Sequence, residues 1–163
     1  MTTAELLGKH LKHDLEMLKW HLADFTDADM FHRPCPAGNH AMWQTGHIVS
    51  STGRLLSMIE PSFKTPVSDE VAGKFTKESA RIDDPAAFPT LQQLRDALDQ
   101  LASAADKWIA GLPQSLLDAR SPDWAKDWAA TNGLLLAGIA SHVQMHIGQV
   151  QMIRRCLGKP VLF

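Results

Sequence analysis

With 163 residues, 45% of them apolar and 21% charged, the chain has the size and composition of one soluble globular domain spanning residues 1–163. A formal charge of −2, from 16 basic and 18 acidic side chains with no basic cluster, gives nucleic-acid binding no electrostatic support. No apolar run approaches the roughly 20 residues of a membrane span, and the N-terminal stretch lacks a signal peptide's apolar segment, so no membrane association is expected.

The first helix is predicted from about Ala4 to Phe25. Thr2 and Glu5 have the spacing of a capping box, and Leu7, Leu11, Leu15, Leu18, Leu22 and Phe25 recur at helical spacing as its buried stripe. Pro34, Pro36 and Gly38 keep the next segment irregular. A second helix is predicted from Asn39, as N-cap, to just before Pro61; it carries Trp43, His47, Ile48, Ser51 and Leu55. The stretch from Pro61 to Pro89 is long and mixed, with a short helix expected around Asp69–Ala80. Its length suits a crossover rather than a hairpin. The third helix starts after Pro89, with Thr90 and Gln93 as a second capping box, and stops at Gly111 and Pro113. A loop rich in Trp, Asp and Ala runs to Thr131-Asn132. The fourth helix covers about Gly133 to Leu157 and is closed by Gly158 and Pro160. Four long amphipathic segments with almost no β-type alternation predict an all-α four-helix bundle with a long crossover between helices 2 and 3.

Two of the eight histidines, His142 and His146, stand at i and i+4 on the apolar face of the fourth helix, shared with Leu135, Ile139, Ile153 and Leu157. That spacing lets two imidazoles converge on one ion. Val143 occupies the place where a zinc protease of the H-E-x-x-H type carries its glutamate, which excludes that class. A pair of imidazoles on a buried face needs partners for its nitrogens: side chains and water, or a metal ion. His47, on the second helix with Trp43, Ser50 and Arg54, supplies a third ring, and three neutral imidazoles make an open site of catalytic form. Asp14 and His21 are further candidates for a fourth ligand, although with His10 they are also read as a solvated edge of helix 1. Trp43 is read as a pocket wall or a core residue, Arg54 as a carboxylate binder or an ordinary salt-bridge partner, and Gln149 as a hydrogen-bond partner behind the ligands or a cap. The two cysteines, Cys35 and Cys156, form no disulfide framework, which fits a reducing cytoplasm. Cys35, between Pro34 and Pro36, is a candidate reactive thiol.

The ordered set Trp43-x-x-Gly46-His47 and, about 95 residues on, His142-x-x-x-His146-x-Gly148-Gln149 resembles the DinB-like superfamily, which includes YfiT-type metal-dependent hydrolases. The resemblance covers essentially the whole chain. It implies up-down-down-up topology and a homodimer. It also implies a divalent metal held by His47, His142 and His146, zinc or nickel being usual and iron or manganese further candidates. Characterised members of that superfamily are metal-dependent transferases of low-molecular-weight thiols. The resemblance therefore implies thiol S-transfer to small electrophiles, with a small thiol as cosubstrate. Metal-dependent hydrolysis and a non-catalytic, stress-related metal-binding module remain the alternatives. An open three-histidine site lowers the pKa of whatever takes its vacant position, thiol or water alike.

Overall fold

The computed structural model describes residues 1–162. Four long helices dominate it: α1 (Thr3–His21), α2 (Ala41–Ile59), α4 (Leu91–Ala110) and α6 (Asn132–Cys156). Two short ones, α3 (Asp69–Ala72) and α5 (Gln114–Asp118), lie in the connections. No strand occurs among the described residues, and no helix there is long and apolar enough to cross a membrane.

Pairs of contacting side chains give the direction of each helix. Along α1 and α4, Gly8 lies against Asp106 and Lys19 pairs with Asp99, so the two run antiparallel. Along α1 and α6, Asp14 meets Gln144 and the His21 carbonyl meets Arg154, so these run parallel. Gln44 meets His146, and His47 meets the earlier His142, so α2 opposes α6. His40 packs on Phe88, Gly53 approaches Leu101 and Ser62 bonds Trp108, so α2 runs with α4. The topology is therefore up-down-down-up. Two successive long helices that run parallel, α2 and α4, require the chain between them to travel back along the bundle, and this explains the 31-residue connection.

Both predicted capping boxes form, Thr2 with Glu5 and Thr90 with Gln93. The first helix stops at His21, short of Phe25, because the Leu22 N–H bonds back to Lys19 and Trp20 in a tightened last turn. The N-cap of α2 is His40, not Asn39: its ring Nδ1 accepts the Trp43 N–H at 3.0 Å, and its Nε2 donates to the Ile82 carbonyl. The helix expected over Asp69–Ala80 is one turn ending at Ala72, with a separate 3₁₀ turn at Ser79–Arg81, since Gly73 interrupts it. The fourth long helix begins one residue early, at Asn132 behind a Thr131 cap, and ends at Cys156. α5 was not anticipated.

The crossover is held against a row of small residues on α2, namely Gly46, Ser50 and Gly53, spaced at i, i+4 and i+7. The Phe75 ring lies on Gly46, so close that a Cβ there would stand 2.0 Å from it. Ser50 Oγ donates to the Ala72 carbonyl, and Thr65 lies on Gly53. Trp43 Nε1 completes the attachment by donating to the Thr76 carbonyl at 2.8 Å. One edge of α2 is thus given to the crossover, and the adjoining edge carries His47 towards α6.

Candidate metal centre

α2 and α6 bring His47, His142 and His146 together: one ring nitrogen from each lies within 4.8 Å of the other two. Ring centroids are 5.2 Å apart for His47 and His142, 5.2 Å for His47 and His146, and 4.8 Å for His142 and His146. His146 is buried, whereas His47 and His142 are half-buried, so the cluster opens to solvent on one side. Burial lowers the pKa of all three. His47 falls to about 4, and His142 and Arg54 nearby push it further down; His146 falls to about 3, with the same sense from His142 and His47. Each ring is a neutral imidazole at pH 7, the form that offers a lone pair.

The tautomer of His146 follows from its neighbour. Gln44 Nε2 donates to the Asn39 carbonyl at 3.1 Å, which turns Gln44 Oε1 towards His146 Nδ1, 2.6 Å away. Nδ1 therefore carries the proton, and Nε2 keeps the lone pair. Gln149 adds a side-chain hydrogen bond that partly offsets the burial effect on His146. Trp43 lies flat on His47, with centroids 4.8 Å apart and planes 5° from parallel, and so fixes that ring's rotation. Trp43 is a core residue. His142 Nδ1 is buried with no hydrogen-bond partner. A buried nitrogen without a protein partner, beside two other imidazoles, fits a metal-ligand role, because a buried polar atom otherwise costs free energy.

Asp14 and His21 are not at this centre, and they are buried rather than lining a solvated edge. Asp14 is opposite Gln144, two residues and so about 200° around α6 from both His142 and His146. There it accepts from Gln144 Nε2 at 2.5 Å and lies 3.4 Å from His10 Nε2, and burial raises its carboxyl pKa. His21 Nδ1 donates to the Met17 carbonyl at the far end of α1. Among the described residues the histidine cluster includes no carboxylate or cysteine. Arg54 is exposed, two turns along α2 from His47, and among the described residues no carboxylate is within ion-pair distance of it, so the salt-bridge reading of this residue fails. Gln44 was the residue missed. A glutamine on the face of α2 shared with Ala41 and Ile48 was the available signal, because a buried amide must find partners.

The neutral rings give the metal-free protein a defined pH response. His21, His40, His47, His142 and His146 all have pKa values below 6.5 when folded. The unfolded chain therefore takes up more protons as pH falls through 6.5, and stability present above that pH is lost below it. Asp14, whose carboxyl pKa burial raises, contributes with the opposite sign. The urea midpoint of the metal-free protein should drop between pH 7.5 and 5.5. A flat midpoint would mean that these rings are not buried as neutral imidazoles.

A family model described as the DinB superfamily matches residues 10–150. Among solved structures, a conserved protein of Enterococcus faecalis aligns with a TM-score of 0.74 at 22% identity, over 98% of this chain and 99% of that one. YfiT from Bacillus subtilis, described as a probable metal-dependent hydrolase with an unusual four-helix bundle topology, aligns with a TM-score of 0.62 at 17% identity. That alignment covers 96% of this chain and 89% of YfiT. At such identities the likeness is one of fold. No curated protein matches the chain.

Proposed function

Because the chain belongs to the DinB superfamily, we propose that it binds one divalent metal ion through His47, His142 and His146 and activates a low-molecular-weight thiol for transfer to a small electrophile. The observation that carries this reading is the donor set: three neutral imidazoles with no carboxylate among them. Such a set suits zinc or nickel, and also iron, whereas manganese favours oxygen donors. A bound ion would supply Lewis acidity and lower the pKa of the thiol or water sharing its site.

The protein's own groups do the rest. Gln44 holds His146 in the tautomer whose Nε2 is a donor to metal. Trp43 holds the His47 ring in its plane. The exposed Arg54 cation, on the face of α2 that carries His47, adds a positive field that favours an anionic reactant near the cluster. Hydrolysis is the second reading, favoured by the description of YfiT as a probable metal-dependent hydrolase. Both readings use the same residues and differ in the nucleophile.

The test is turnover of 1-chloro-2,4-dinitrobenzene and of 4-nitrophenyl acetate by metal-loaded protein, with several small thiols and with water alone. Thiol-dependent consumption of the aryl chloride, lost in His146→Ala, is expected. Ester cleavage without thiol would instead select hydrolysis. Rates equal to those of His146→Ala under every condition would leave a metal-binding module without catalysis. We further propose a cytoplasmic homodimer. Support comes from exposed, unpaired Cys35 and Cys156, which suit a reducing compartment, and from Trp20 and Trp128, about half exposed. Light scattering should return twice 18.0 kDa; a monomer mass would contradict the dimer.

A further inference from the structure

A cavity of about 300 Å³ adjoins the histidine cluster and shares His142 with it. Leu55 of α2, Ile139 and Met145 of α6 and the Trp128 indole line it, with Gly138 in its floor. The lining is almost wholly apolar, and the volume is at the low end of small-molecule sites. Trp128 is placed there by the 119–131 loop, which an isolated bridge between Arg120 and Thr131 closes at its base. The missing side chain of Gly138 leaves this space: a Cβ there would be 3.7 Å from the Trp128 ring, in ordinary contact, and anything longer would enter the cavity. Arg54, an exposed cation, follows His47 by seven residues on the same face of α2 and is next in sequence to the wall residue Leu55.

An apolar recess beside the rings and an exposed guanidinium next to its α2 wall define an amphiphilic ligand. We infer that this site takes a small organic acid whose aryl or branched alkyl part fills the cavity under Trp128 and whose carboxylate is held by Arg54 on the face of α2 that carries His47. A guanidinium recognises a carboxylate by paired hydrogen bonds, which an alcohol of the same shape cannot match. The inference specifies the substrate class and rests on reading the cluster as the reactive centre.

Calorimetric titration of 4-phenylbutyrate, 4-phenyl-1-butanol and acetate tests it, in the metal-free and the zinc-loaded protein. In metal-free protein the phenyl acid should bind roughly tenfold more tightly than either the alcohol or acetate. Gly138→Leu should weaken the phenyl acid by about tenfold, by occupying the recess, and leave acetate unchanged. Trp128→Ala, a change on an exposed loop, should also weaken the phenyl acid. Arg54→Gln should make acid and alcohol equal. Zinc stoichiometry, titrated separately, should be unaltered in all three variants. Equal binding of acid and alcohol by the unmodified protein would overturn the inference, as would unchanged binding in both Gly138→Leu and Trp128→Ala. If zinc fails to bind while the phenyl acid follows the expected pattern, the pocket stands and the metal reading falls.

Discussion

Alanine at His146 is expected to lower divalent-metal affinity by about a hundredfold or more while the bundle stays folded. One of three donors is lost, and it is the one whose orientation is most firmly set, with Nδ1–H tied to Gln44 and the ring buried in the cluster. Gln44→Ala removes only the tie, so it should cost roughly 10–100-fold, the range typical of partners behind metal-bound histidines. The fold should survive both changes. The stripes Leu11, Leu15 and Leu18 of α1 and Leu94, Leu98 and Leu101 of α4 are buried independently of the histidines. Far-ultraviolet circular dichroism of the metal-free variants checks this. Loss of helix on metal removal would make the ion structural and the open-site reading wrong.

A second large effect is expected far from any ligand atom. Gly46→Ala places a methyl group 2.0 Å from the Phe75 ring, which is itself buried and packed towards Phe88. The ring cannot move far without opening the contact between the crossover and α2. Overpacking of this kind costs about 1–3 kcal/mol, which should lower Tm by roughly 5–10 °C for a chain of this size. Phe75→Leu combined with Gly46→Ala should be less destabilised than the sum of the two single changes, since the smaller side chain vacates the clash. Strict additivity would show that the two residues do not meet as described.

What was legible in the sequence is what depends on local spacing. The capping boxes at Thr2 and Thr90 need only a partner three residues on, and both form. The His142 and His146 pair is legible because one helical turn separates them, and the long crossover is legible because neither strand alternation nor helical periodicity fills Pro61 to Pro89. Features set by packing between distant segments were not legible. Gly46, Ser50 and Gly53 look like weak points in a helix until Phe75, Ala72 and Thr65 are seen lying on them. Asp14 appeared as a possible ligand because helix 1 was read without knowing which face of α6 it meets. It meets Gln144, on the side away from the two histidines. Side-chain preference alone selects Asn39 as the N-cap of α2, yet His40 takes that place because its second nitrogen also gains the Ile82 carbonyl.

The claim on which the account depends is that three imidazole nitrogens, one from each of His47, His142 and His146, hold the ion. Zinc K-edge X-ray absorption of protein loaded with one equivalent of zinc measures this directly. The account predicts three imidazole-type nitrogen scatterers at about 2.0–2.1 Å with a water oxygen completing the shell, and a loss of imidazole scattering in His142→Ala. A shell containing protein sulfur at about 2.3 Å, or one made of oxygen alone, would contradict it.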